Sequence, residues 1–419
     1  MKPVLKIENI LTATFVIETI CITYGLLFGS LMPFTSIIYF LCGILISVLL
    51  LFLPRAKQSF SLKQNEQHLS TLSFRIVAIV IMAVQLIYFT TKWIDDAPID
   101  FHDADMLPVM QVMAKRFVAG NFSHIYDIIP EIWNGMRPVY LPAMWMPFSI
   151  AIFGNFDVRW ITCILLIITF AIFIFVFHPS HQKKVSPYIL GSAFMLFWWL
   201  STSQNNGLIP YTEEGVVIFY YVILTLCLLN RNIWLIAIAT VLCVLSRYAF
   251  IGWIVPFGLI LLYKKRSVLF FKWMITGLIL GLLFTVVPFG WKPFYDSLSL
   301  PGQYIDFAAR VWHDSPNVFY QNPGMAKFFG PNRIALQHKL LITLSLTVPS
   351  LFASFAFWLK EKKKYKIHNI SLATLKLSLV IFYNFIDVPY LYLFYTSSFV
   401  SLIIVGYFVS RYQKELETN

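Results

Sequence analysis

Apolar runs and short polar breaks alternate along the whole chain. Runs such as "IVAIVIMAVQLIYFTTKW" (76–93) and "WITCILLIITFAIFIFVF" (160–177) approach the roughly 20 apolar residues with which an α-helix crosses a bilayer. Similar runs fall near 10–30, 34–53, 139–156, 187–204, 210–229, 232–246, 248–263, 268–289, 338–359, 370–386 and 389–410. The pattern predicts an all-α polytopic bundle of roughly 11–13 transmembrane helices. It reads as a single integral membrane domain over residues 1–419, with two long connections at 94–138 and 290–337.

Basic residues cluster in the short connections: Arg55, Lys57 and Lys63; Lys183 and Lys184; Lys264, Lys265 and Arg266; "KEKKKYK" at 360–366; Arg411 and Lys414. Cytoplasmic loops carry such excess, so these connections belong on the cytoplasmic side of a multi-pass cytoplasmic (inner) membrane protein, and the two long ones outside. One conflict follows. Two full crossings between 139 and 178 would leave "HPSHQKK" (178–184) outside. Either 139–156 is embedded without crossing or another span is misread.

Composition agrees with the hydropathy. Hydrophobic residues are 58% and charged residues 12% of the chain, where a soluble domain is about half apolar and a quarter charged. The net charge of +12 sits in loops beside spans, so the partners implied are membrane lipids and not nucleic acid. All five cysteines lie in apolar segments without a CxxC pair, which suits small buried hydrophobes better than a disulfide or metal framework. Lys2 and Lys6 precede an apolar run interrupted by Glu8 and Glu18, with no small-residue cleavage site. That favours a retained first helix over a cleaved signal.

Against this background, seven of the 20 acidic residues fall between Asp95 and Glu131. In "IDFHDADMLPV" (99–109), Asp105 precedes Met106, Met110, Met113 and Phe117 at helical spacing, and Gly120 and Asn121 supply a stop. An amphipathic surface helix follows, with Asp105 as its cap and Pro108 tolerated in its first turn. Capping alone would account for Asp105. Farther on, "RPVYLPAMWMPF" (137–148) gives a rigid Tyr140–Pro142 lead-in to the next apolar segment.

Together "DADMLPVMQVMAKRFVAG" and "YLPA" resemble the first external loop of the GT-C glycosyltransferases, the multi-pass enzymes that use polyprenyl-phosphate sugars. "SQNNGL" (203–208) is similar to the polar Gln-x-Asn turn of the bacterial mannosyltransferase-like branch, family 87 type. The resemblance covers roughly 95–210; Ala143 stands where the family has a second proline, and two spans precede its first helix. It implies a GT-C-like fold and an inverting transfer of a mannose-like hexose from a polyprenyl-phosphate carrier to a glycan or lipid acceptor. The lipid-linked sugar is the co-substrate. No cofactor is required with certainty, and a divalent metal is left open. Asp105 aligns with the family aspartate as the base that takes the acceptor's proton, and Asp103 as a helper or metal ligand. Gln204, Asn206 and Tyr140 carry the remaining matches.

Other residues keep two readings each. Arg247 in "VLSRYAFIGW" is either a phosphate ligand or the partner of Glu213 or Glu214. Arg310 and His313, with Asp314, either bind phosphate or acceptor or belong to a solvated loop. Glu213 and Glu214 complement a helix dipole, and Asp387 either lines the acceptor cleft from the external side or marks a turn before Pro389. Trp93, Trp133, Trp145, Trp291 and Trp312 read as an interfacial belt. An O-antigen polymerase or ligase type of envelope enzyme and a secondary transporter remain the alternatives, the first disfavoured by the acid-rich loop, the second by the scarcity of ionisable residues in the spans.

Overall fold

The computed structural model describes residues 4–24, 29, 31–53, 69–101, 106–132, 135–138, 140–177, 186–203, 206–263, 266–298, 304–362 and 366–411. In chain order the helices are α1 (Val4–Thr23), α2 (Met32–Phe52), α3 (Leu69–Asp96), α4 (Met106–Val118), α5 (Pro142–Trp145), α6 (Ser149–Phe153), α7 (Arg159–Val176), α8 (Ser186–Thr202), α9 (Leu208–Tyr211) and α10 (Glu214–Asn230). Then come α11 (Ile233–Val244), α12 (Ile251–Tyr263), α13 (Ser267–Phe284), α14 (Val286–Phe289), α15 (Trp291–Leu298), α16 (Tyr304–Asp314), α17 (Asn317–Tyr320), α18 (Ile334–Glu361), α19 (Ile370–Phe385) and α20 (Leu393–Arg411). No strand occurs among the described residues. The chain is an all-helical protein in which five helical stretches are long and apolar enough to cross a membrane: Met32–Phe52, Leu72–Asp96, Arg159–Val176, Ser267–Phe289 and Pro331–Glu361.

Hydrophobicity all round a helix requires burial on every side, and α20 meets that condition, covered at every position from Leu393 to Val409. It forms the axis, with α1, α7, α8, α10 and α19 packed about it. The outer helices α3 and α13 leave broad apolar faces exposed, as at Val80, Ile81 and Val84, and at Leu278 and Ile279. Close helix approach uses small residues: a Cβ on Gly252 would stand 2.8 Å from the Ser345 carbonyl oxygen.

Contacts between helix ends define two poles. At the first, Arg75 near the start of α3 donates to Phe177 O after α7 (3.2 Å), and His368 N donates to Leu51 O (2.8 Å); the described residues that flank 54–68 and 178–185 meet at this pole. At the other, Arg159 at the start of α7 donates to Trp93 O (3.3 Å) and Ala97 O at the end of α3. A cation on the last carbonyls of a helix also matches its dipole. Its own guanidinium is balanced by Asp157 at 2.7 Å. Helices α3 and α7 are therefore antiparallel neighbours, and residues 98–158 leave and return at one pole.

That bears on 139–156, whose two flanks meet at one pole. The stretch Pro142–Phe153 is broken into α5, a 3-10 turn (Met146–Phe148) and α6, because prolines 142 and 147 interrupt it. Two further expectations change. The first helix occupies Val4–Thr23 instead of 10–30. Trp93, Trp145 and Trp312 are buried, not interfacial, while Trp291 is exposed; Trp133 lies outside the described residues.

The amphipathic helix expected after Asp105 is α4, beginning at Met106. It packs on α5 and α6. Phe117 of α4 and Trp145 of α5 both meet Phe289 of α14, with ring centroids 6.3 and 5.6 Å apart. The two long connections thus touch through an aromatic cluster at the pole opposite the basic loops.

Candidate functional site

A buried ionic cluster stands at that same pole. Glu213 and Glu214 open α10, and Arg247 occupies the extended break between α11 and α12. Arg247 Nη2 donates to Glu213 Oε1 (2.8 Å) and Glu214 Oε2 (2.6 Å), and its Nε donates to Glu214 Oε2 (3.1 Å). Thr396 Oγ1 of α20 donates to Glu214 Oε1 (2.6 Å). Both glutamate side chains are wholly buried, whereas 20% of the Arg247 side chain is exposed. Of the two readings for Arg247, the ion pair is therefore present. Two carboxylates would be severely destabilising here without the guanidinium. Arg247 Nη1 makes no hydrogen bond to the described residues, so part of the fork remains open.

Tyrosines surround the triad. Tyr383 and Tyr392 lie within electrostatic reach of Arg247, and the Tyr221 and Tyr383 hydroxyls and Glu213 Oε2 are buried without partners. Such atoms mark places where water or ligand completes a polar network. Tyr392 OH donates to Met106 Sδ (3.0 Å), so the first residue of α4, next in the chain to Asp105, touches the tyrosine shell. Tyr140 interacts with Tyr392, and its carbonyl accepts from Tyr126 OH (3.2 Å).

From the second long connection, Tyr304 of α16 reaches Arg247, Glu213 and Asp387; burial raises its hydroxyl pKa, with Arg247 opposing. Asp387, between α19 and α20, binds His338 Nδ1 through Oδ2 at 2.6 Å. Burial lifts the Asp387 carboxyl above the usual range, and its bond to His338 pulls it back. Neighbouring Gln337 donates to Ile386 O (2.7 Å), pinning the connection that carries Asp387. Lys327 Nζ donates to Ser36 Oγ (2.8 Å) and Asn322 O (2.6 Å); burial lowers its pKa to about 8.

The other residues named from sequence scatter. Asp103, Asp105 and Gln204 lie outside the described residues. Asn206 is buried and serves its own turn, donating to Trp199 O (3.1 Å) and accepting from Leu208 N (2.8 Å). Arg310 stands exposed on α16, and His313 pairs with Asp314 at 2.7 Å on the surface. Among the described residues, no group of three or more His, Cys, Asp or Glu could hold a metal ion. An apolar groove of about 440 Å³ between α11, α12 and α13, lined by residues such as Val244, Phe270 and Trp273, carries no ionisable side chain. His338, Tyr304, Tyr383 and Tyr392 went unnoticed in the sequence, where only the run "YLYLFY" (390–395) hinted at an aromatic shell.

The chain matches no protein-family model, no curated protein and no solved structure.

Proposed function

We propose that the chain is an inverting membrane glycosyltransferase, moving a mannose-like hexose from a polyprenyl-phosphate carrier to a glycan or lipid acceptor on the extracytoplasmic face of the cytoplasmic membrane. The observation that carries this reading is the junction at Tyr392. It joins the start of α4, where the resemblance puts the base, to a buried ionic cluster at the pole opposite the basic loops.

In this reading α1, α2, α3, α7, α8, α10, α11, α12, α13, α18, α19 and α20 cross the membrane. The basic loops face the cytoplasm by the positive-inside rule, and α4–α6 and α14–α17 cover the outer end. Asp105 takes the acceptor hydroxyl's proton, a role worth roughly 10²–10⁴-fold in rate, and Asp103 orients the acceptor. The Arg247 triad has one guanidinium for two carboxylates, so it presents hydrogen-bond donors without an excess of positive charge. Nη1 is thus suited to a sugar or acceptor oxygen, and the tyrosine shell to excluding water.

A transporter is the second reading. Lys376 and Glu18 pair at 2.5 Å, both buried between α1 and α19, and buried ionisable groups inside a bundle also line ion paths. Asp105→Asn separates the two. It should abolish sugar transfer in a cell-envelope glycan assay at unchanged protein abundance; normal glycan in the variant would remove the base assignment. Substrate uptake into liposomes without a lipid-linked donor would favour the transporter.

A further inference from the structure

We propose that His338, held by Asp387, binds the phosphate of the lipid-linked donor as it leaves. The proposal rests on the glycosyl-transfer reading and goes beyond it, because the candidates read from sequence leave that phosphate without a group: Arg247 is paired with Glu213 and Glu214, and Arg310 and His313 stand exposed on α16. A leaving phosphate gains negative charge, and the triad already holds two carboxylates against one cation. Other cations near this pole are engaged or exposed: Lys327 is tied to Ser36 and Asn322, Arg159 to Asp157 and Arg116 to the Ile125, Asp127 and Ile128 carbonyls, whereas Lys115, Lys292, Arg310, Arg333 and Lys339 are among those exposed.

His338 differs in three ways. Nδ1 is occupied by Asp387 Oδ2 at 2.6 Å, which fixes the ring and leaves Nε2 as the outward nitrogen; Nε2 makes no hydrogen bond to the described residues. Asp387 is almost fully covered, with Oδ1 unpartnered, so the pair is held in a fixed, largely water-free setting. His338 is also the fifth residue of α18, beside exposed Ala335, Leu336, Lys339 and Ile342. That flank opens towards lipid, where a phosphate anchored to a membrane chain arrives. Charged and titratable groups on the elements packed around this end include Asp387, Tyr304, Asp306, Arg310, His313, Asp314, Arg333 and Lys339; Tyr304 lies within electrostatic reach of Asp387.

The step balances as follows. The acceptor oxygen attacks the anomeric carbon, its proton passing to Asp105. The bond from that carbon to the phosphate oxygen breaks, with its electron pair going to that oxygen. The diester monoanion becomes a monoester whose second pKa is about 6. The Nε2–H of His338 donates its hydrogen bond to that oxygen as the charge develops.

The test is binding of a polyprenyl monophosphate to the full-length protein in nanodiscs, with the matching polyprenol as control. At pH 7 wild type should bind the monophosphate about tenfold or more tightly than the polyprenol. His338→Gln should bind the monophosphate about ten- to a hundredfold more weakly than wild type, and His338→Lys should restore binding. Polyprenol should not distinguish the three proteins. Equal binding of the monophosphate by wild type and His338→Gln would overturn the proposal. So would equal competition by phosphatidylglycerol, which would make the site one for bulk phospholipid. His338-dependent binding in a protein that transfers no sugar would instead refute the transfer reading and leave the phosphate site standing.

Discussion

Replacing Arg247 by Met strips the buried carboxylates of Glu213 and Glu214 of their shared cation while filling a similar volume. Both acids are fully covered, and Glu213 Oε2 already lacks a partner. Removing one member of a buried ion pair costs about 3–5 kcal/mol, chiefly because the remaining charge stays uncompensated. Glu214→Gln is milder, about 1–3 kcal/mol, since Arg247 keeps Glu213 at 2.8 Å. The triple variant Arg247→Met/Glu213→Gln/Glu214→Gln removes every charge together and should recover at least half of the loss. The assay is thermal challenge of detergent-solubilised full-length protein, read as the fraction remaining monodisperse, with the single and combined variants arranged as a mutant cycle. Arg247→Met as stable as wild type would refute the reasoning, as would a triple variant no better than Arg247→Met.

Other outcomes follow from the same structure. All five native cysteines are buried, so single cysteines report topology: Asp157→Cys and Asp314→Cys should react with an impermeant maleimide from outside the cell, and Arg231→Cys and Lys362→Cys should not. Labelling of Asp127→Cys and Asp157→Cys from opposite sides would show that 139–156 crosses after all. Lys327, lowered to about 8 by burial, binds fewer protons folded than unfolded between that value and the ordinary lysine range near 10.4. Folding stability should therefore rise with pH across that window, by up to roughly 3 kcal/mol before screening at its partly exposed site reduces it. Lys327→Met should remove this rise, and an unchanged slope in the variant would sink the assignment.

Some of this architecture was readable from residues near one another in the chain. Met106, Met110, Met113 and Phe117 recur on one helical face, and α4 follows. Basic loops mark one pole because each lies beside its own spans. Apolar content alone left 139–156 open, since a broken, embedded segment and a span share the same composition. Only Arg159 meeting Trp93 and Ala97, more than sixty positions away, shows the return to one pole. The site was less legible for the same reason. Glu213 and Glu214 sit where a helix dipole explains them, and Arg247 comes 33 and 34 positions later. His338 and Asp387 are separated by 49 positions, and Glu18 and Lys376 by 358. Pairings at such distances are made by tertiary packing and leave no spacing in a single sequence. The resemblance supplied Asp103 and Asp105, which local pattern alone reads as a cap and its neighbour.

The most direct measurement is release of free polyprenyl phosphate from a synthetic polyprenyl-phosphate mannose by full-length protein in liposomes containing envelope glycan extract as acceptor. Wild type should release the lipid phosphate together with labelled, acceptor-bound sugar, and folded Asp105→Asn should release neither above background. A folded wild-type protein that transfers nothing, or an Asp105→Asn variant that transfers as well as wild type, would contradict the account.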